Sequence, residues 1–323
     1  MSSPSIEGQS AALQLPVYLL TGPTGTGKSD WAIRLAETAP VEIVSVDSAL
    51  VYRGLDIGTA KPARELRARL PHHLIDICDP ADSYSAGRFV TDAMAVIAAV
   101  HARRRVPLLV GGTMLYLRAL LKGLAPLPQA SVELRREIDA RAARSGWPAL
   151  HGELAHLDPE AAARINPNDS QRIQRALEVC LATGRRLSQL QRETVSPLEG
   201  MPVKAWALAP RDRLVLHQRL ASRFHSMMAA GFLDEVRALH GRGDLTARHS
   251  SMRAVGYRQL WAHLEGECGL AEAVERGIAA TRQLAKRQLT WMRAETTPRW
   301  LDPRVDELSW NRDVCRELSQ LGL

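Results

Sequence analysis

Short runs of apolar and β-branched residues recur along the chain and are separated by longer segments of helical periodicity. The runs are VYLL at 17–20, VEIVSV at 41–46, HLIDI at 73–77, VPLLV at 106–110 and KAWALA at 204–209. Between the early runs, residues 31–38 and 86–104 carry apolar positions at helical spacing. Strands that alternate with helices predict a parallel sheet with helices on both faces. We therefore expect an α/β fold.

The pattern changes between about residues 115 and 200, where the spacing is helical only. Asp158, followed by Pro159, indicates one helix start, and Asp169 or Ser170 is expected to cap a second helix that Gly184 ends. Because the last strand candidate follows this block, residues 115–200 are predicted to be an inserted all-helical domain. The first part of the core is then 14–114, and 201–310 holds its continuation with a basic, helical C-terminal part.

The composition predicts a soluble, globular protein. The chain has 323 residues, of which 46% are hydrophobic, so it can bury a sizeable core. No apolar run reaches the roughly 18 residues that a membrane helix needs, so we expect no membrane partner and a cytoplasmic location. The four cysteines lack the Cys-x-x-Cys spacing of a zinc site.

Charge is unevenly distributed along the chain. The net charge is +7, and the segment from Arg211 to Arg299 has 15 basic and 9 acidic residues, which contributes +6 of it. A basic third is typical of a protein with a polyanionic partner. A solvated, arginine-rich surface is the alternative that charge alone leaves open.

The first predicted strand runs into GPTGTGKS, which matches the phosphate-loop pattern G-x-x-x-x-G-K-[ST] between a strand and a helix. Glycines let backbone N–H groups point at phosphate oxygens, and the helix N-terminus adds its positive dipole end. The lysine adds a charge, and the serine hydroxyl can ligate Mg²⁺. The loop recognises a diphosphate and does not show whether that diphosphate belongs to a nucleotide. Its predicted diphosphate-binding residues are Gly22, Pro23, Thr24, Gly25, Thr26, Gly27, Lys28 and Ser29.

Asp47 directly follows the second predicted strand. The carboxyl ends of parallel strands line the ligand crevice of an open sheet, so Asp47 is expected beside the phosphate loop. There it can act on a metal indirectly, accept a proton from a nucleophile, or cap the next turn. The strand VPLLV ends in Gly111, Gly112 and Thr113 rather than in a carboxylate, and the guanine-reading tetrad Asn-Lys-x-Asp is absent from the sequence. Both observations argue against a hydrolytic switch or motor protein.

Residues 278–293 contain no acidic residue and are predicted to form one helix. At about 100° per residue, Arg282, Lys286 and Arg293 fall within roughly 40° of one another. We interpret them as a stripe that follows a phosphate backbone, with a solvated helix face as the alternative. For Trp291, both core packing and contact with RNA remain open.

Seven stretches between residues 22 and 291 together resemble the tRNA dimethylallyltransferases, also called tRNA isopentenyltransferases. They are GPTGTGKS, SVDSALVYRGLDIGTAKP, LLVGGTMLY, NPNDSQRIQRALEV, RFHSMM, VGYRQ and ATRQLAKRQLTW. The resemblance implies transfer of a dimethylallyl group from dimethylallyl diphosphate to the exocyclic amine of the adenine immediately 3′ of the anticodon. It also implies a P-loop NTPase-like core, an inserted helical domain that grips the anticodon stem-loop of tRNA, and a monomer. The sequence has no C-terminal Cys/His zinc-finger pattern of the eukaryotic kind, so it resembles the bacterial type.

The resemblance also implies site residues. Asp47 becomes the candidate general base, while Lys28 and Mg²⁺ on Ser29 stabilise the leaving diphosphate. Thr24 and Arg223 match family positions that contact the diphosphate. The family's tRNA-contacting segments, together with the predicted stripe, correspond to Asp47, Ser48, Ala49, Leu50, Thr113, Gln171, Arg172, Ile173, Gln174, Arg175, Arg253, Ala254, Val255, Gly256, Tyr257, Arg258, Arg282, Lys286, Arg287, Gln288, Leu289, Thr290, Trp291, Met292 and Arg293.

Three other functions share parts of this pattern. A P-loop kinase of a small molecule could use Asp47 as its base, but it leaves the basic C-terminal third unexplained. An isopentenyltransferase acting on free AMP or ADP has little need for a large RNA-binding surface. An RNA-binding protein whose nucleotide loop acts as a switch is the third alternative. The second metal carboxylate and the guanine tetrad are missing from this sequence, which argues against it.

Overall fold

The structure is a computed structural model that describes residues 15–125, 127, 131–295 and 297–323. The chain divides into two compact units. The first combines the chain up to Arg118 with Gly200–Leu323, and the second is Ala119–Glu199. The predicted domain boundaries stay a prediction, because compactness does not show that either unit folds independently.

The core of the first unit is a parallel sheet with the order β3-β2-β4-β1-β5-β6 in the described residues. Both neighbours of β1 pair with it in register, so that Tyr18 lies opposite Leu108 and Lys204. Helices on both faces explain why the strands at the centre are continuous apolar runs rather than alternating ones. The strands are β1 (Val17–Thr21), β2 (Val41–Val46), β3 (His72–His73), β4 (Val106–Gly111), β5 (Val203–Leu208) and β6 (Arg299–Leu301).

The first unit also contains α-helices, and the first and the last of them pack against each other. Trp31 and Trp310, on the first and the last of these helices, pack with tilted rings whose centroids are 5.2 Å apart, in the core over one sheet face. The helices are α1 (Lys28–Thr38), α2 (Arg64–Arg69), α3 (Ala86–Ala102), α4 (Met114–Lys122, which runs into the second unit), α10 (Arg213–Ala229), α11 (Phe232–His240), α12 (Tyr257–Leu264), α13 (Leu270–Glu295) and α14 (Glu307–Gln320).

The described residues of the second unit form helices around their own apolar cluster. The predicted helix ends are found: the Asp158 carboxylate accepts the Ala161 N–H at 3.0 Å, Asp169 accepts the Arg172 N–H at 3.2 Å, and Gly184 ends its helix at φ 67°. Side-chain caps of this kind satisfy backbone N–H groups that have no partner within the helix. The helices are α5 (Val132–Ser145), α6 (Trp147–Leu157), α7 (Pro159–Arg164), α8 (Ser170–Thr183) and α9 (Leu187–Arg192).

Two strands differ from the sequence prediction. The strand expected at 73–77 is only β3, because Leu74 at φ 62° and Asp76 at φ 57° are left-handed and end the extended backbone. The edge strand β6 was not predicted, since three residues carry no periodicity that can be read from sequence. Among the described residues, no helix is long and apolar enough to span a bilayer.

Candidate active site

A cavity of about 430 Å³ lies within the first unit, at the carboxyl edge of its sheet. The lining includes Thr24 of the phosphate loop, Asp47 after β2, Thr113 after β4, Arg223 of α10 and Gln288 of α13. These residues are far apart in sequence. Parallel strands that share one carboxyl edge bring the loops after β1, β2 and β4 together.

The phosphate loop has the backbone conformation that glycine permits. Gly22, Gly25 and Gly27 have φ values of 147°, 79° and 88°. A Cβ on Gly22 would lie 2.5 Å from the Leu208 carbonyl oxygen, so the loop passes β5 too closely for any side chain. Within the loop, the Thr26 hydroxyl donates to the Pro23 carbonyl at 2.9 Å. The geometry is that of a rigid turn leading into α1.

Lys28 begins α1 and points back along the loop, where its ammonium donates to the Pro23 carbonyl at 2.8 Å. Desolvation lowers the pKa of Lys28 to about 8; the nearby Asp47 carboxylate opposes this change and the Arg223 guanidinium adds to it. The ammonium therefore lies in an environment that favours an added anion.

Asp47 uses one carboxylate oxygen to cap the turn that follows β2. Its Oδ1 accepts the N–H groups of Ala49 at 2.8 Å and Leu50 at 3.4 Å, while Oδ2 accepts no hydrogen bond from the described residues. Thr113 closes the same turn, because its hydroxyl oxygen accepts the Ser48 N–H at 3.0 Å. The capping role considered for Asp47 is thus present. It leaves one oxygen of this cavity-lining carboxylate without a hydrogen bond from the described residues.

Arg223 also lines the cavity and is hydrogen-bonded to a backbone carbonyl. Its Nη2 donates to the Thr59 oxygen at 3.3 Å. Burial lowers the pKa of Arg223, and the charges of Asp47 and Asp30 oppose the change. A guanidinium remains charged at any physiological pH, so this burial leaves a cation with little hydration.

Gln288 joins the C-terminal helix α13 to the phosphate loop. Its Oε1 accepts the Thr24 N–H at 2.9 Å, and its Nε2 donates to the Gly112 carbonyl at 2.8 Å. One turn further, the Thr21 hydroxyl donates to the Met292 sulfur at 3.4 Å. Sequence reasoning assigned Gln288 and Met292 to tRNA contact; here both are buried against the sheet edge. Their contact with tRNA stays a prediction.

The cavity has an apolar wall, of which sequence reasoning missed Phe224 and Phe232 and named Tyr257 only as a tRNA contact. Phe224, Phe232 and Tyr257 pack edge to face, with ring centroids 4.9–6.0 Å apart, next to Gly58. A Cβ on Gly58 would lie 2.1 Å from the Phe232 ring. One signal was available: the chain has only three phenylalanines, and two of them lie within nine positions of each other.

The other candidate tRNA residues of the first unit divide into two groups. Arg253 and Arg287 are exposed and line the cavity, and Arg258, Lys286, Thr290 and Arg293 are also exposed. Arg282 is half-buried, and its Nε has no hydrogen-bond partner in the described residues. Half-buried or buried positions are Ala254, Val255, Gly256, Tyr257, Leu289 and Trp291. Residues 278–293 lie within α13, as expected for a single helix.

Residues 171–175 lie in the first turns of α8 in the second unit. Ile173 belongs to the apolar core of that unit, Gln171 and Arg172 are exposed, and Gln174 donates to Asp139 at 2.7 Å. Arg175 forms an ion pair with the buried Glu178 at 3.3 Å. The segment therefore presents polar side chains around one buried anchor.

A family model and curated proteins match this chain over most of its length. The family model described as "IPP transferase" matches residues 50–295, and one described as "Isopentenyl transferase" matches residues 15–73. A tRNA dimethylallyltransferase of Methylococcus capsulatus is 58% identical over 301 residues, which covers 93% of this chain and 96% of the relative. The chain belongs to the tRNA dimethylallyltransferase family. It is therefore an enzyme, a transferase that prenylates tRNA.

Solved structures agree with this family membership and with the P-loop fold class. A tRNA isopentenylpyrophosphate transferase of Bacillus halodurans aligns with a TM-score of 0.68 and 35% identity, covering 95% of this chain and 99% of that one. A eukaryotic dimethylallyltransferase, whose structure captures it acting on tRNA, aligns with a TM-score of 0.76 and 28% identity, covering 90% of this chain and 74% of that one. The α/β core, the helical insertion and the helical C-terminal part are confirmed as the fold class.

Proposed function

We propose that this enzyme uses dimethylallyl diphosphate to modify the exocyclic amine of the adenine immediately 3′ of the anticodon, and that the cavity of the first unit is the reaction site. The observation that supports this most is the meeting of Thr24, Asp47 and Arg223 at one cavity. The Lys28 ammonium lies close enough to Asp47 and Arg223 for their charges to change its pKa. An anion site for a leaving diphosphate thereby lies beside a carboxylate with a free oxygen.

The reaction forms a bond between the adenine amine nitrogen and the allylic carbon and breaks the bond between that carbon and a diphosphate oxygen. Adenine's amine is a weak nucleophile because its lone pair is delocalised into the ring. In this proposal the Oδ2 atom of Asp47 accepts the proton that the amine loses. Its Oδ1 stays hydrogen-bonded to the turn, which orients the carboxylate.

Departure of the diphosphate places negative charge on the phosphate loop. Loop N–H groups, the Lys28 ammonium and the Arg223 guanidinium are already oriented and partly desolvated, so they stabilise that charge with little reorganisation. The apolar wall of Phe224 and Phe232 excludes water from the allylic carbon while it carries partial positive charge.

The donor atoms near the loop suit Mg²⁺. The Ser29 hydroxyl is exposed on the first turn of α1, Asp47 supplies a carboxylate, and no group of three or more His, Cys, Asp or Glu side chains that could form a protein-only metal cage occurs among the described residues. Mg²⁺ typically binds through one or two protein oxygens plus phosphates and water. We infer that Ser29 ligates Mg²⁺ directly and Asp47 through water; when bound, the ion neutralises charge on the diphosphate.

An adenine inside a folded anticodon loop must leave its stack to enter such a cavity. Arg253 and Arg287 at the cavity and the exposed Lys286 and Arg293 of α13 are proposed to contact the anticodon stem-loop. The polar side chains of Gln171, Arg172, Gln174 and Arg175 of α8 are proposed to contact it from the second unit. A monomer is proposed as the active form, as the family resemblance implies.

The test is transfer of radiolabelled dimethylallyl from its diphosphate to unmodified tRNA, with AMP, and ATP plus a small-molecule acceptor, as parallel reactions. We expect label in a tRNA with adenine 3′ of the anticodon and none when that adenine is replaced. Label in AMP alone, or ATP consumption without allyl transfer, would contradict the proposal. Light scattering with and without tRNA checks the monomer.

A further inference from the structure

Glu235 of α11 accepts hydrogen bonds from two separate segments of the cavity wall. Its Oε2 accepts the N–H groups of Asp56 at 2.9 Å and Ile57 at 2.6 Å, and its Oε1 accepts the Gly58 N–H at 3.1 Å. Oε1 also accepts the Tyr257 hydroxyl. A carboxylate that serves three successive backbone N–H groups is a strong anchor for a turn, because each of these hydrogen bonds is charge-assisted.

A second set of contacts, a few residues later, fixes the same loop. Lys61, whose side chain is 2% exposed, donates to the Tyr52 carbonyl at 2.8 Å, pairs with Asp56 at 2.7 Å and also pairs with Asp76. The loop thus has a fixed point on each side of Thr59. A carbonyl between two such points has a defined direction.

The Thr59 carbonyl is the hydrogen-bond acceptor of Arg223. Gly58, which precedes it, cannot shift toward α11, because even a Cβ there would lie 2.1 Å from the Phe232 ring. A continuous set of contacts therefore leads from the Glu235 carboxylate through the Gly58 N–H and the Thr59 carbonyl to the guanidinium in the cavity.

We propose that Glu235 is a positioning residue that orients Arg223 toward the diphosphate by fixing the turn at Asp56–Gly58. This inference rests on the proposed function. Both carboxylate oxygens of Glu235 are engaged by two donors each, so neither is directed at a substrate proton. Its role is to hold Arg223 in one orientation before the donor arrives, which lowers the reorganisation needed during transfer.

Glu235→Gln removes the charge and nearly preserves the shape. A carboxamide has one acceptor oxygen, so its NH₂ group must face either the N–H groups of Asp56 and Ile57 or the Gly58 N–H and the Tyr257 hydroxyl. We expect about a tenfold loss in kcat/KM for dimethylallyl diphosphate. The Kd for tRNA is expected to stay within twofold, because the contact leads to the diphosphate side of the cavity.

Asp234→Asn is the matched control. Asp234 is the neighbouring residue on α11, its side chain is 76% exposed, and it pairs only with Arg237 on its own helix among the described residues. The same chemical change there is expected to leave kcat/KM unchanged. An equal loss in both variants would assign the effect to the charge of α11 and overturn the proposal.

A double-mutant cycle with Arg223→Lys distinguishes a role of Glu235 in positioning Arg223 from a general disturbance of the fold. A lysine lacks the fork of the guanidinium, so in the Arg223→Lys background Glu235→Gln is expected to cost less than twofold. Independent, multiplying losses would overturn the role assigned to Glu235. If Glu235→Gln does not fold, Glu235→Asp, which keeps the charge on a shorter side chain, enters the same cycle.

Binding of inorganic diphosphate, measured by calorimetry, distinguishes this inference from the proposed function. Wild-type protein is expected to bind it about tenfold more tightly than Glu235→Gln, whether or not allyl transfer is the reaction. Equal affinities overturn the positioning role even when the wild type is an active transferase. Absence of transfer by the wild type, with the affinity difference present, overturns only the proposed function.

Discussion

The two ends of β2 carry carboxylates with opposite surroundings. Glu42, near the amino end, is 3% exposed and contacts Arg103 at 2.7 Å, His73 at 2.7 Å and Arg105 at 3.3 Å. Asp47, just past the carboxyl end, has one oxygen in a turn and one that accepts no hydrogen bond from the described residues. One carboxylate is saturated by its own protein, and the other is left partly unsatisfied.

The difference separates a charge that serves folding from a charge that, in the proposed function, serves a ligand. Desolvation alone would raise the pKa of Glu42, but hydrogen bonds and charge from Arg103 and His73 bring it below its ordinary value. At the other end of the sheet, desolvation lowers the pKa values of Lys28 and Arg223. The Asp47 carboxylate opposes this change at both cations, and Asp30 opposes it at Arg223. Arg253 and Arg287 also line the cavity, and in the proposed function a bound diphosphate compensates the positive charge at that edge.

The largest expected effect is on turnover, from Asp47→Ala. Removing the proton acceptor is expected to lower kcat on the order of 1000-fold, within the range of general-base catalysis. Single-turnover transfer to saturating tRNA measures it, and a filter-binding Kd for tRNA within threefold of wild type serves as the control. Unchanged turnover would contradict the role proposed for Asp47, because this carboxylate would then only cap the turn after β2.

Glu42→Gln is expected to act on stability alone. It removes charge from a buried network, and we expect unfolding free energy at pH 7 to fall by about 2 kcal/mol. The pKa of Glu42 is lower in the folded state than in the unfolded state. The stabilisation from Glu42 is therefore present above its unfolded-state pKa and is lost as the pH falls through its folded-state pKa. Urea titrations at pH 7 and pH 3 should show a smaller wild-type advantage at pH 3. A kcat change beyond twofold would contradict the division between the two strand ends.

The double variant Arg282→Ala with Lys286→Ala tests whether basic side chains outside the cavity also bind a ligand. The Arg282 Nε is enclosed without a partner in the described residues, and Lys286 is exposed on the same helix. Losing two phosphate contacts is expected to weaken tRNA binding about tenfold and to lower the slope of log K against log salt by about two. An unchanged slope would assign both residues to a solvated helix face.

The smallest expected effect is the pH dependence of diphosphate binding. Since the pKa of Lys28 is about 8 without ligand, deprotonation between pH 7 and 8.5 removes the charge that attracts the anion. Affinity for inorganic diphosphate is expected to fall by about fourfold over that interval, with proton uptake on binding. Lys28→Arg, which stays charged, is the control, and an equal fall in that variant would assign the effect to another group.

Local sequence patterns predicted the parts of this molecule that depend on neighbouring residues. The glycines of the phosphate loop, the caps at Asp158 and Asp169 and the stop at Gly184 all follow from backbone preferences within a few positions. The position of Asp47 at the ligand edge also followed, because parallel strands share one carboxyl edge. Long apolar runs predicted the buried strands for the same local reason.

The sequence by itself determined an α/β protein with a phosphate loop, a candidate carboxylate and a basic C-terminal third. Only the tertiary structure decided that Gln288 joins the loop to Gly112 after β4, that Phe232 packs against Gly58 and that Glu235 binds the turn before Thr59. These contacts join residues more than 170 positions apart. No local preference encodes them, since the partner of each group depends on how helices pack against the sheet.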